Sequence, residues 1–126
     1  MPSLSKLYLK GTSKTPEISL SPGIISISGR SIPEDSVDFY QPIINWIELY
    51  TRQPEHITKV NFRIEYINSG SNRFVYAILK LLDACHRQGQ KVFVNWYYEE
   101  DDEIIRGLGD DLSSFFKMPI KLVELT

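Results

Sequence analysis

Two serines flank a glycine in the string Asn68-Ser69-Gly70-Ser71-Asn72, and a serine hydroxyl in such a turn can attack an acyl carbon, cap a helix or accept a phosphate. Attack needs a G-x-S-x-G elbow and a histidine in reach; the string lacks the elbow, and neither His56 nor His86 is close in sequence. Capping is the simpler role, since a serine at a helix start satisfies orphan backbone N–H groups for about 0.5–2 kcal/mol. The same N–H groups and the positive end of the helix dipole also make a favourable seat for phosphate. A phosphate on Ser69 or Ser71 adds about −1.5 to −2 of charge beside whatever surface docks there. Cap and switch both remain open on these residues alone.

The densest charge cluster is Glu99 to Glu103, with Asp110 and Asp111 further on. Its spacing does not match an EF-hand loop, and acids at a helix start answer the dipole. It is read as a solvated helix start, a partner-facing patch or, in the enzyme alternative, a magnesium site spanning Glu99 to Asp111. His56 and His86 lack HxxxH or HExxH spacing, and Gly107-x-Gly109 follows no strand as a phosphate loop would. No metal and no cofactor is expected.

Those residues need elements to place them. Leu7 to Leu9, Ile18 to Leu20 and Ile24 to Ile27 read as short strands separated by Gly11-Thr12, Thr15-Pro16 and Ser21-Pro22-Gly23. Ser31 and Glu34 stand in capping-box spacing with Pro33 in a first helical turn, so a helix is expected there, with Val37, Tyr40, Ile44 and Ile47 as its apolar stripe. Pro42 predicts a kink or restart near Gln41, and Pro54 the end.

Lys59 to Tyr66 alternates strictly, with Val60, Phe62, Ile64 and Tyr66 on one face, and reads as a strand with one wet face. A helix from Ser71 carries Phe74, Ile78, Leu81, Leu82 and Cys85 and ends at Gly89. Val92 to Tyr97 is apolar on both faces and is placed more centrally. A third helix begins within Glu99 to Glu103, with Ile104, Ile105, Leu108, Leu112, Phe115 and Phe116 as its apolar side; Gly107 and Gly109 weaken it by up to ~1 kcal/mol each. Ile120 to Leu125 is the last strand. The order β-β-β-α-β-α-β-α-β implies an α/β fold whose second half pairs in parallel. Lys59 to Tyr66 and Val92 to Tyr97 should be adjacent parallel strands, with Val60, Phe62, Ile64, Ile78, Leu82, Val92 and Val94 buried.

The 126 residues suit one domain spanning residues 1–126. Fourteen Lys and Arg against 16 Asp and Glu leave a net charge of −2, without the basic excess of a nucleic-acid binder. Cys85 is the only cysteine, which excludes an intrachain disulfide and fits a reducing cytoplasm. Met1-Pro2-Ser3-Leu4 lacks a charged-then-apolar signal pattern, and no apolar run approaches the ~20 residues of a membrane span. The expectation is a cytoplasmic protein without membrane insertion.

Several strings taken together resemble one family. Gly11-Thr12 with Thr15-Pro16, Gly29-Arg30-Ser31-Ile32-Pro33-Glu34-Asp35, Phe39-Tyr40 with Pro42 and Trp46, Tyr66-Ile67-Asn68-Ser69, and Trp96-Tyr97-Tyr98-Glu99 resemble the SiaC family of bacterial regulatory phosphoproteins over nearly the whole chain. The resemblance implies a STAS-like domain, a mixed sheet with helices packed on one face. It also implies a non-catalytic partner switch in cyclic di-GMP signalling. The unphosphorylated form binds and activates a GGDEF-type diguanylate cyclase, a cognate Ser/Thr kinase releases it, and a PP2C-like phosphatase restores it. The phosphoacceptor of such proteins is the hydroxyl residue directly after the asparagine ending the central strand, here Ser69, with Ser71 as the alternative. The docking face is then expected on the loop Gly29 to Asp35 and the turn Asn68 to Arg73, through Arg30, Ser31, Pro33, Glu34, Asn68, Ser69, Gly70 and Arg73. Arg30 and Arg73 are available to pair with acids or with the phosphate. A constitutive scaffold is the remaining alternative.

Overall fold

The structure is a computed structural model and describes residues 4–125; Met1-Pro2-Ser3, read above for a targeting signal, and Thr126 lie outside the described residues. The elements are β1 (Leu7–Leu9), β2 (Glu17–Ser21), β3 (Ile24–Ser31), α1 (Ser36–Arg52), β4 (Ile57–Ile67), α2 (Ser69–Arg87), β5 (Lys91–Glu99), α3 (Glu103–Phe115) and β6 (Ile120–Leu125), in the expected order. The strands lie side by side in chain order as one six-stranded sheet. β1, β2 and β3 pair antiparallel, helped by Pro22-Gly23 at the β2–β3 turn, where Gly23 takes a φ of +89°. From β3 to β6 every pairing is parallel. Each parallel step moves one place in the same direction, and right-handed crossovers then put all three helices on one face.

The core fills the space between that face and the helices. Ile25, Val60 and Val94 form one row across the sheet, and Ile27, Phe62 and Trp96 the next. All six are buried, as are the other four residues expected inside, Ile64, Ile78, Leu82 and Val92. β4 and β5 are adjacent and parallel, as the crossover argument requires. α2 ends in a Schellman motif: Gly89, at a φ of +101°, donates to His86 O and Gln90 to Cys85 O.

Several expectations are corrected. β3 runs on through Ser31, so Ser31 and Glu34 form no capping box; Asp35 is the N-cap of α1, its Oδ1 accepting the Asp38 N–H at 3.0 Å, and Pro33 is buried ahead of the helix. Pro42 does not break α1, which is continuous from Ser36 to Arg52. The carbonyl deprived of a donor belongs to exposed Asp38, where water can replace the lost bond. The buried stripe of α1 is Tyr40, Ile43, Trp46, Ile47 and Tyr50, while Val37 faces solvent. In β4 the register shifts by one residue between Ile64 and Tyr66, which places Tyr66 opposite exposed Arg30 and leaves it exposed.

The expected central place of β5, apolar on both faces, also fails. Phe93 is 45% exposed, because no helix covers the second face, and β3 and β4 occupy the centre. α3 starts only at Glu103, capped by Asp102, and its inward residues are Ile105, Gly109 and Leu112; Ile104 and Phe115 face outward and Phe116 is past the helix end. Gly109 is no mere weakness in α3. A Cβ there would collide with the Trp96 indole and stand 2.7 Å from Leu122, so the missing side chain lets the helix lie on β5 and β6.

Candidate functional site

The parallel pairing of β3 and β4 aligns their carboxyl ends, Arg30 opposite Tyr66 and Ser31 opposite Ile67. Chain leaving β4 turns directly into α2 and chain leaving β3 reaches α1 after Ile32 to Asp35, so α1 and α2 start side by side. The Asn68 N–H donates to Ser31 O at 2.9 Å, which joins the two exits. A Cβ on Gly70 would stand 2.7 Å from Ser36 Oγ, so glycine is what allows the first turns of α1 and α2 to touch.

Asn68, rather than either serine, is the N-cap of α2: its extended backbone (φ −86°, ψ 166°) and its Oδ1, 2.9 Å from the Ser71 N–H, start the helix. Ser69 and Ser71 are thereby the first and third residues of α2, and helical geometry sends them in different directions. Ser69 is exposed; Ser71 is fully buried. Ser69 Oγ carries no capping duty and sits at the positive end of a 19-residue helix. Arg73, one turn on, is also exposed, with its guanidinium 5.0 Å from the Phe74 ring centre. Residues four apart share a helix face, so Arg73 lies on the side of α2 that presents Ser69.

Beneath the turn is a group of hydroxyls from three elements. Ser31 Oγ and Tyr40 OH are 2.6 Å apart and both residues are wholly buried. Ser71 Oγ lies close enough to the Tyr40 oxygen to favour its ionised form, yet has no hydrogen bond of its own. Burial nevertheless dominates and pushes the Tyr40 phenol above its ordinary value, against the pull of Ser31 and Ser71. Phe74 stacks on the Tyr40 ring at 5.2 Å and closes the layer.

The sequence-derived docking residues divide accordingly. Asn68, Ser69, Gly70 and Arg73 form one surface with the start of α1. Ser31 and Pro33 are buried and offer no surface; they shape the turn from below. Arg30 is exposed but turned aside, its Nε donating to Ser13 O at 3.2 Å and its guanidinium 5.8 Å from the Tyr66 ring centre. Glu34 is exposed in a 3.6 Å ion pair with Lys14. Ser36, Tyr40 and Phe74 escaped the sequence reading as parts of this site, because Ser36 falls inside the helix expected from Pro33 and the spacing of Tyr40 and Phe74 marks them only as core.

The acids from Glu99 to Asp111 do not converge: Asp102 caps α3, Glu103 opens it, and Asp110 and Asp111 come two turns later. Among the described residues no three His, Cys, Asp or Glu side chains are grouped to hold a metal ion. Cys85 is buried and its thiol is pushed up by burial, so it is no reactive thiolate. No helix among the described residues is long and apolar enough to cross a membrane.

Comparison with known proteins converges on one group. The SiaC family of regulatory phosphoproteins matches residues 9–125. An uncharacterised protein of Pseudomonas aeruginosa (strain UCBPP-PA14) is 27% identical over 121 residues, covering 94% of this chain and 96% of its own. Two solved structures from Pseudomonas aeruginosa superpose with a TM-score of 0.88 at 26% identity: SiaC alone, over 96% of this chain and 99% of that one, and SiaC as activator in complex with the diguanylate cyclase SiaD, over 94% and 99%.

Proposed function

Because this chain belongs to the SiaC family of regulatory phosphoproteins, we propose that it is a non-catalytic partner switch, one domain over residues 1–126, that binds and activates a diguanylate cyclase and is released by phosphorylation at Ser69. The observation that carries the choice of acceptor is the split between the two serines: Ser69 is exposed at the first position of α2, whereas Ser71 is 0% exposed. A kinase must reach the hydroxyl it modifies, and only one of the pair is at the surface.

The chemistry supports a switch that changes recognition and leaves the fold intact. A phosphate on Ser69 is favoured by the dipole of α2 and by Arg73 one turn away, so the modified turn is electrostatically tolerated. For a partner seated on Asn68, Ser69, Gly70 and Arg73, the same phosphate introduces about −1.5 to −2 of charge and consumes an arginine that the partner could otherwise pair with. A Ser/Thr kinase and a PP2C-like phosphatase complete the cycle, and the site of action is cytoplasmic.

The test uses the wild-type protein, Ser69→Ala, Ser71→Ala and Ser69→Asp with the diguanylate cyclase encoded by the same genome. Ser69→Ala should resist kinase labelling and stay in the cyclase-binding form, and Ser69→Asp should bind and activate less. Labelling that survives Ser69→Ala and vanishes in Ser71→Ala overturns the acceptor. A cyclase indifferent to all four proteins overturns the function.

A further inference from the structure

Parallel sheets are ordinarily covered on both faces, because their crossovers supply helices to each side. Here the four parallel strands β3 to β6 carry helices on one face only. On the bare face, at the end where the parallel strands begin, Ile24, Ile57 and Phe93 are 53%, 45% and 45% exposed and belong to three successive strands. Register interleaves them with lysines: Lys59 is opposite both Ile24 and Phe93, Lys91 is opposite Ile57, and Lys121 lies beside Asn95, two residues along from Phe93. All three lysines are exposed, and among the described residues none is within ion-pair distance of a carboxylate. The acids of this face, Glu17, Glu65 and Glu99, lie toward the opposite end, which leaves Glu55, beside Gly23 below the patch, as the neighbouring acid.

We propose that this patch is a second docking surface, and that its occupant is an amphipathic helix of a partner protein, apolar along one stripe and flanked by Asp or Glu. The sheet interior has its backbone groups bonded within the ladder, so an extended segment lying on the face finds no donors or acceptors; an occupant must arrive with its own backbone satisfied, as a helix does. β3 and β5 are two strand spacings apart, about 10 Å, close to the rise of two helical turns, so residues seven apart on one helix reach from Ile24 to Phe93. Acidic flanks answer Lys59, Lys91 and Lys121. The amide row above the patch, where Asn95 Nδ2 donates to Asn61 Oδ1 at 3.1 Å, gives it a polar border. A nucleic acid is the poorer match, because the chain as a whole is acidic.

The surface is independent of the phosphorylated turn. β4 runs from Ile57 at the patch to Ile67 beside Ser69, roughly 30 Å at the rise of a strand, and the two sites are on opposite faces. A partner helix on the bare face can therefore stay bound while Ser69 is modified and its own partner leaves.

The test is fluorescence anisotropy on the full chain with a labelled helical peptide of about 18 residues, leucine-striped and glutamate-flanked, beside a lysine-flanked peptide of the same stripe and a single-stranded oligonucleotide. The glutamate-flanked peptide should bind, weaken with added salt, and lose about tenfold or more in affinity in Phe93→Asp and in the double variant Lys59→Glu, Lys91→Glu, with unchanged thermal melts. Lys59→Glu, Lys91→Glu keeps the test decisive if Phe93→Asp does not fold. Ser69→Asp should bind the peptide as the wild type does, which separates this result from the cyclase experiment. No binding, binding untouched by these variants, or preference for the oligonucleotide overturns the proposal; so does a self-association in sedimentation that Phe93→Asp abolishes, which assigns the face to a second copy of this chain.

Discussion

The hydroxyls of Tyr40 and Ser31 meet at 2.6 Å inside the protein and join α1 to the last residue of β3, directly beneath the turn that presents Ser69. Neither oxygen can reach water, so removing one leaves the other buried without its partner. Tyr40→Phe should cost about 1–3 kcal/mol in chemical denaturation, and Ser31→Ala a similar amount. The double variant should cost less than the sum, since the orphan created by each single change is then gone. Additive losses would show that the two hydroxyls do not interact.

Ser71 invites the opposite change. Its oxygen is buried with only the Tyr40 hydroxyl close by and makes no well-formed hydrogen bond, so Ser71→Ala removes a polar atom whose burial is poorly compensated. The variant should melt at or above the wild-type temperature. Asn68→Ala, which deletes the carboxamide that holds the Ser71 N–H, should lose about 0.5–2 kcal/mol and raise hydrogen exchange in the first turn of α2. Equal stability of the two variants would mean that Asn68 is no cap.

Asp83 is the buried acid that locks α2 to the turn ahead of β6. Its Oδ1 accepts the N–H groups of Lys117 at 3.0 Å and Met118 at 2.9 Å, and its Oδ2 accepts from Arg87 at 2.7 Å. Burial pushes the carboxyl up, but the bonds from Arg87, Met118 and Lys117 together outweigh it and hold the carboxyl below its ordinary value. A depressed folded-state value means that the unfolded chain takes up the proton first as pH drops. The stabilisation is therefore complete above the ordinary carboxylate range and declines as pH falls through it toward the lowered value. Denaturation midpoints measured from neutral to acid should fall less steeply in Asp83→Asn than in the wild type, and that variant should already be about 1–3 kcal/mol less stable at neutral pH.

Gly109 tests which of two effects governs α3. Helix propensity favours alanine over glycine by about 1 kcal/mol. Sterics oppose it, since the new methyl would collide with the Trp96 ring, which is itself fixed by its Nε1–H bond to Ile105 O at 2.8 Å. Overpacking of this kind costs about 1–3 kcal/mol, so Gly109→Ala should lower the melting temperature. Gly107→Ala, with nothing within 4 Å of its added methyl, should raise it. A stabilised Gly109→Ala would show that α3 can lift from the sheet.

What the sequence determined by itself was whatever local chemistry decides. Alternation over Lys59 to Tyr66, turn residues at Pro22-Gly23 and Gly89, and the strand–helix–strand succession were enough for the element order, the parallel pairing of β4 with β5 and the buried set from Val60 to Val94. The strings shared with a phosphoprotein family were enough for the family itself, and through it for the proposal of Ser69.

Only the tertiary structure decided what depends on which face is covered. Phe93 has the apolar character of a core residue, yet it is exposed because the crossovers put every helix on the other side of β5. Ser69 and Ser71 are the same residue type two positions apart, and helical rotation about Asn68 sends one to solvent and the other toward Tyr40. Gly109 reads as a weak point until Trp96 is seen beneath it, and Ser31 as a cap until β3 extends through it to Tyr40. At Gly109 and Ser31 local propensity was outvoted by a tertiary neighbour, at Phe93 by the absence of one, and burial of the sheet's one helical face is the energy that decides.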